Sequence, residues 1–134
     1  MGQQQLLLLV LAAIIVGTGV ILGVNMFQEN AAQANMDAVT QDCLTFASKA
    51  QAWSKRPASI GGGGHAFTGF DFGDINLPTG ATFSNENGDF TISGVTITGC
   101  VITGVGKENI DGAGANLTAV VTVSTNNVVV TQTK

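Results

Sequence analysis

The sequence predicts an α+β fold in which one long N-terminal helix packs against a small antiparallel β-sheet of about four strands. Two observations lead to this prediction. The chain can form one uninterrupted helix up to its first proline, Pro57, and the glycine run 61–64 follows at once. After residue 81, apolar and polar residues alternate, which is the period of strands buried on one face. We therefore divide the 134 residues into a helix over 1–55, a glycine-rich connector over 56–80 and a sheet domain over 81–134.

The first half of the helix, residues 6–24, is apolar except for its glycines and Thr18. At 1.5 Å per residue it spans roughly 28 Å, close to the thickness of the hydrocarbon core of a bilayer. A cleaved secretory signal would begin with cations and end in small residues. Here glutamines 3–5 precede the run and Asn25-Met26-Phe27 follows it. We expect a retained membrane helix, with the rest of the chain on the extracytoplasmic side.

The second half of the helix, residues 25–55, carries one apolar stripe. Its members recur at steps of three and four, the spacing of one helix face: Met36, Val39, Cys43, Phe46, Ala50 and Trp53. We expect Met36, Val39, Phe46 and Trp53 to form the core between helix and sheet. Phe27 is also interpreted as a packing residue. The helix should end near Lys55, where a flexible connector begins.

Strand signals fill the last third of the chain. Thr82-Phe83-Ser84 and Phe90-Thr91-Ile92 flank Asn87-Gly88, which is a hairpin signal. The alternation continues at Val95 to Ile97, at Cys100 to Ile102 and from Leu117 to Ser124. Asn126-Asn127 predicts another hairpin, with a type I′ turn because asparagine tolerates positive φ. A sheet this small needs the amphipathic half of the helix to complete its core.

This arrangement predicts where the two cysteines lie. Cys43 lies on the helix stripe, and Cys100 is in phase with Ile102 on a strand. If both point into the helix–sheet interface, and if the domain faces an oxidising compartment, a disulfide joins them. The alternative is a pair of buried free thiols.

Composition and motifs argue against other classes of function. Five lysines and arginines against nine acidic residues give a net charge of −4, which offers no cationic surface to nucleic acid. His65 has no nucleophile or acid at motif spacing, and Asp71 and Asp74 miss the spacing of a calcium loop. The glycine run 61–64 lacks the Lys-Ser/Thr of a phosphate loop. We expect no catalytic, cofactor or metal site and no enzyme; Asn116 begins a glycosylation sequon.

The N-terminus Met1-Gly2-Gln3-Gln4-Gln5-Leu6 resembles type IV pilins and related pilin-like filament subunits. It is most similar to short bacterial pilin-like proteins that begin Gly-Gln-Gln-Gln before the apolar run. The resemblance implies a pilin-like fold for the whole chain, although the sequence match is confined to about the first thirty residues. It also implies that a prepilin peptidase removes a short leader after Gly2 and methylates Gln3, or that Met1 is the mature start.

The chain departs from this family at two places. Pilins usually carry Glu at the fifth mature residue, where it pairs with the N-terminal amine of a neighbour. This chain has Leu7 or Gln5 there, depending on the mature start, and only Gln5 can accept a hydrogen bond. The proline found in the middle of many pilin helices is absent. The glycines of the apolar half are then weak points or sites of close helix packing, and we expect a mostly continuous helix: Gly17, Gly19 and Gly23.

The resemblance implies a structural subunit of an extracellular filament used for adhesion, motility or surface contact. The subunit would enter the inner membrane first and then form a helical homopolymer with the pilus assembly machinery, without a cofactor. A pseudopilin of a secretion system and a single-span membrane-anchored binding module are the alternatives. The filament core would consist of apolar residues of the first half: Leu6, Leu7, Leu8, Leu9, Val10, Leu11, Ile14, Ile15, Val20, Ile21 and Leu22.

Overall fold

The computed structural model describes residues 2–109 and 116–133 and contains one long helix followed by one antiparallel sheet. The predicted α+β fold is confirmed, with five strands in place of about four. Each strand pairs with the next, so that the sheet order follows the chain order. The elements are α1 (Gly2–Lys55), β1 (Thr82–Ser84), β2 (Gly88–Ser93), β3 (Gly99–Asn109), β4 (Asn116–Ser124) and β5 (Val128–Thr133).

Helix α1 runs without a break for 54 residues, and the sheet covers only its second half. Every residue from 2 to 30 is exposed, whereas one stripe between Ala32 and Ser54 is buried against the sheet. This stripe has the predicted helical spacing. The four residues predicted for the helix–sheet core are all buried: Met36, Val39, Phe46 and Trp53.

An aromatic cluster forms the part of the core around Phe46 of α1. The Phe46 ring of α1 meets three other rings edge-on, with centroid distances of 5.1 Å to Phe90, 5.6 Å to Phe72 and 5.9 Å to Phe83. Edge-to-face contacts of this kind are the preferred geometry of aromatic pairs. The cluster therefore ties together the helix, the first two strands and the segment that precedes them.

The second part of the segment 56–80 packs into the core, so that the interpretation of the whole segment as a flexible connector is wrong. The segment contains two short 3-10 helices, Ala58–Ile60 and Phe72–Ile75. Four of its apolar side chains are buried: Phe67, Phe70, Phe72 and Ile75. Aromatic residues spaced between glycines and polar residues carry no helix or strand period, which is why the sequence pattern did not reveal them as core.

The glycine run caps the end of α1. The backbone N–H groups of Gly63, Gly64 and His65 donate to the carbonyls of Trp53, Arg56 and Ser54, at 3.0, 2.9 and 2.7 Å. These carbonyls have no partner inside the helix. A Cβ at Gly63 would lie 2.6 Å from Trp53 Cζ3, so only glycine permits the approach.

Two details of the predicted strands are wrong. The residues 94–98 form a loop, because Gly94 leaves β2 with a φ of 57°, and Ile97 is 69% exposed. The hairpin between β4 and β5 is present, with Ser124 N–H donating to Asn127 O at 2.8 Å. Neither Asn126 nor Asn127 has a positive φ, so the turn is not of type I′, which requires it at both central positions.

Glycines on the inner face of the sheet let α1 approach the strands closely. Gly88 of β2 pairs with Gly106 of β3, and Gly104 lies two residues before it on the same face. A Cβ at Gly104 would lie 2.7 Å from both Cys43 Sγ and Val39 Cγ1. The helix stripe thus fills the space that side chains at these strand positions would otherwise take.

Polar contacts hold the β1–β2 turn and the end of β3 to the helix. Asn35 Nδ2 donates to Asn87 O at 2.8 Å, and Asn35 Oδ1 accepts from Lys107 N at 3.1 Å. Asp42 Oδ2 accepts from the side-chain amides of Asn85, at 2.9 Å, and Asn87, at 2.8 Å. These contacts satisfy backbone and amide groups that would otherwise be left partly buried without partners.

Cys43 and Cys100 are free, buried thiols, so the predicted disulfide is not formed. Both point into the helix–sheet interface, but at different heights. Cys43 Sγ lies against Gly104, which is four residues from Cys100 along β3. At about 3.3 Å per strand residue this separates the thiols by roughly 13 Å, far beyond the reach of a disulfide. Position on the correct face was predictable from the period, whereas position along the helix axis was not.

Burial keeps both thiols protonated. It raises the pKa of Cys43 to about 12, with the neighbouring Asp42 carboxylate acting in the same direction, and it raises the pKa of Cys100 to about 11. Because the thiolate is the nucleophile, we expect both cysteines to be chemically inert in the folded protein.

Replacing Gly104 by valine tests the close approach of α1. We expect Gly104→Val to lower the free energy of unfolding by about 1–3 kcal/mol, because the new side chain overlaps Cys43 and Val39. Urea unfolding of the full chain in detergent, followed by the fluorescence of its single tryptophan, measures the change. Thr103→Val, on the opposite face of β3, is the control and should change stability by less than about 0.5 kcal/mol. Equal stability of the two variants would contradict the packing described here.

Counting thiols tests the state of the cysteines. In the folded protein, neither cysteine should react with a thiol reagent. In protein unfolded without reductant, two thiols per chain should react. Between pH 9 and 11 the unfolded thiols ionise while the folded ones keep their protons, so the unfolding midpoint should fall as pH rises through this window. A Cys43→Ala/Cys100→Ala variant should show a weaker dependence. An unfolded protein that reacts only after reduction would mean that the disulfide exists.

Candidate assembly surface

The exposed first half of α1 is the most unusual surface of the molecule. Its large apolar side chains are between 52% and 70% exposed from Leu6 to Val24. Isolated exposed apolar residues are ordinary, but a continuous apolar surface of this length is not. The helix is long and apolar enough to cross a membrane, and none of its most apolar window is buried within the fold. This surface requires a partner outside the described chain: lipid, protein or both.

Geometry explains why the fold leaves this half uncovered. The exposed residues 2–30 extend roughly 43 Å along the axis at 1.5 Å per residue. The first buried helix residue is Ala32, close to the level at which Asn35 bonds to the β1–β2 turn and to the last part of β3. From this level towards the N-terminus of α1, no described helix residue is buried against the sheet. Phe27, interpreted from the sequence as a packing residue, lies in the uncovered part and is 76% exposed.

The glycines of the apolar half have no role within the described chain. A Cβ at Gly17, Gly19 or Gly23 would meet nothing within 4 Å. Each glycine nevertheless costs a helix about 1 kcal/mol relative to alanine. Gly19 and Gly23 are four residues apart and therefore lie on one helix face, the spacing at which two membrane helices pack closely. This face therefore has room for the close approach of another surface.

The polar groups of this half are few and lie mainly at its ends. Thr18 is the one hydroxyl between Leu6 and Val24, and its Oγ1 donates to the carbonyls of Ile14 and Ile15 at 3.0 Å. The first turn of α1 contains no acidic residue, and the first acid in the sequence is Glu29. Whether Gln5 or Leu7 takes the fifth mature position, no carboxylate is available there to bind an amine. Gly2 and Gln3 begin the helix and are exposed.

The other residues singled out by sequence have structural surroundings. Asp71 and Asp74 cap each other's backbone N–H groups at the start of a 3-10 helix, and His65 lies in the turn that caps α1 with a φ of 68°. Among the described residues, no three His, Cys, Asp or Glu side chains are grouped so as to hold a metal ion. Asn116 is exposed at the start of β4, where it is accessible to modification.

One cleft was not foreseen from the sequence. It lies between the end of α1 and the second 3-10 helix, and it has a volume of about 210 Å³. Its polar walls come from Lys49, Arg56, Asp74 and Asn76, and Trp53 forms part of its floor. The indole Nε1 of Trp53 is buried, with no hydrogen-bond partner in the described part of the chain.

The candidate surface therefore rests on the geometry of the chain itself. Comparisons with protein-family models, with curated proteins and with solved structures find no match for this chain. What the structure establishes is a long helix whose second half packs on a small antiparallel sheet and whose membrane-length apolar half is not buried by any described residue.

Proposed function

We propose that this chain is the structural subunit of an extracellular filament of the type IV pilus kind, which polymerises through the apolar half of α1. One observation carries the proposal. A continuous helix is half covered by its own sheet, and its other half presents a membrane-length apolar surface with unfilled glycine positions. A membrane and a bundle of identical helices can both cover such a surface, at successive stages.

The assembly exchanges one apolar environment for another. In the membrane, lipid tails surround the residues from Leu6 to Val24. In the filament, the same residues contact the helices of neighbouring subunits, and dispersion between closely packed helices replaces the lipid contacts. A contact that joins different surfaces of successive copies, with a rise along the axis at each step, does not close into a ring and generates a helical polymer.

Axial register must come from shape in this chain. Neither Gln5 nor Leu7 offers a charge to a neighbour's amine, and no acid occurs before Glu29. We infer that the notch left by Gly19 and Gly23 receives a bulky apolar side chain of the adjacent helix and so sets the stagger.

Two alternatives use the same helix. A single-span anchor for a binding module would also need a membrane-length apolar helix. The exposed helix supports this alternative as well as it supports the filament. A pseudopilin of a secretion system would form only a short periplasmic filament. Each predicts a different location for the chain, so fractionation of cells separates the three.

The polymer itself is the first test. We expect sheared surface fractions of cells that express the chain with a prepilin peptidase and assembly machinery to contain filaments composed of it. Leu11→Lys should abolish them, because a cation in the middle of the apolar half costs about 2.5–3.5 kcal/mol in the bilayer. Leu44→Lys, at an exposed position on the half of α1 that the sheet supports, is the matched control and should leave filaments intact. A chain that remains in the membrane fraction would refute the filament.

The glycine notch separates a filament from a simple anchor. Gly19→Leu makes the helix more apolar and more helix-prone, so insertion into the membrane should be unchanged. In a filament the new side chain blocks close helix contact, and we expect the filament yield to fall by at least about tenfold, which corresponds to about 1.4 kcal/mol. Ile21→Leu is the volume-conserving control. Normal filaments from Gly19→Leu would show that the glycines are not contact sites.

A further inference from the structure

The outer face of the sheet, turned away from α1, has an unusual composition. At the irregular end of the β3–β4 pairing, the alternation of this face continues with Lys107, Asn109 and Asn116. Where the pairing is regular, the strand registers place fifteen side chains on the face, and they comprise seven threonines, three serines, four valines and a single aspartate. We call this set the outer face: Thr82, Ser84, Asp89, Thr91, Ser93, Val101, Thr103, Val105, Thr118, Val120, Thr122, Ser124, Val129, Thr131 and Thr133.

These side chains form regular rows across the strands. In the middle row Thr91 of β2 lies opposite Thr103 of β3, which lies opposite Val120 of β4 and then Thr131 of β5. Threonine and valine have nearly the same shape. The face is therefore nearly even, since eleven of its fifteen positions carry a short β-branched side chain at the 4.7–4.9 Å spacing of neighbouring strands.

The outer face carries a single charge at its fifteen positions, although the rest of the domain surface carries charges of both signs. Its one carboxylate, Asp89, accepts a hydrogen bond from the Ser84 hydroxyl of the adjacent strand. Exposed positions on α1 and in the loops carry charged side chains of both signs, for example Asp37, Lys55 and Glu86. Charged side chains on exposed sheet surfaces normally oppose association of one sheet with another. That protection is missing here.

The direction of the face follows if the proposed filament is correct. The inner face of the sheet packs on α1, and the apolar half of α1 would lie in the filament core. The outer face must then point away from the filament axis. It would be repeated along the whole length of the polymer.

We propose that the outer face binds the same face of a second copy of this chain in a neighbouring filament, and so bundles filaments side by side; this inference rests on the proposed function. Five strands at about 4.8 Å and three rows of residues at about 6.8 Å give an area of roughly 500 Å² per copy, or roughly 1,000 Å² for two. This is the lower limit for a specific interface. One pair of subunits would associate weakly, whereas a polymer presents many such contacts at once.

The chemistry of the face favours this partner over others. Stacking of sugar rings or bases requires aromatic side chains, and the outer face has none. Binding of phosphate requires cations, and the fifteen positions have none; Lys107, at the irregular end of the sheet, donates its Nζ to Asn85 O. When two such faces contact each other, Asp89 is the one charge of each face to be desolvated, and desolvation of charge is the costly step in forming an interface.

A single lysine tests the inference. Purified wild-type filaments should bundle, and bundling should increase with salt, since each subunit carries a net charge of −4 that repels other filaments until it is screened. Thr103→Lys places a cation in the centre of the outer face and should lower bundling, measured by light scattering and by bundle width in negative stain, at least about tenfold. Ser48→Lys adds the same charge at an exposed position on α1 and should bundle like the wild type.

The possible outcomes separate the two proposals. Bundles of Thr103→Lys as wide as those of the wild type would overturn the inference, as would wild-type filaments that stay single at every salt concentration. Absence of filaments from all three chains would overturn the proposed function instead. The single tryptophan of each variant reports that the domain has folded, so a lost bundle is not confused with an unfolded subunit.

Discussion

The close contact between α1 and the glycine positions of the inner sheet face determines the rest of this structure. Gly88, Gly104 and Gly106 remove side chains where Val39, Cys43 and Asn35 need room. The helix can therefore pack close to the strand backbones, and Asn35 reaches the backbone of both the β1–β2 turn and β3. This contact fixes the height of the sheet along the helix. It consequently determines where the covered half of α1 ends and where the exposed half begins.

Periodicity made much of this fold predictable. A step of three or four identified the buried stripe of α1 at Met36, Val39, Phe46 and Trp53, and alternation located the strands. Such patterns define which face of an element is buried. They carry no information on how far one element is displaced along another, and this is why Cys43 and Cys100 share a face without meeting. The aromatic residues of 56–80 follow neither period, and their burial depends on contacts that only the folded chain provides.

The candidate surface was easier to predict than its details. A long apolar run is visible in any sequence, and its exposure follows because a sheet of five short strands cannot cover a helix of 54 residues. The outer face of the sheet could not be predicted from the sequence, because its residues come together only when the strands pair in register. Thr91, Thr103 and Thr131 are far apart in the sequence and become one row when the strands pair.

Charge placement links the two surfaces that we assign to contacts between copies. No charged residue precedes Glu29, and Asp89 is the one charged side chain of the outer face. A helix that enters a membrane must avoid charge, because burial of an ion without a partner is costly. The outer face belongs to the sheet and not to this apolar helix, so the same explanation does not apply to it. A face with one charged residue in a chain of net charge −4 is better explained by contact with another surface than by solubility, since solubility would favour additional acidic residues there.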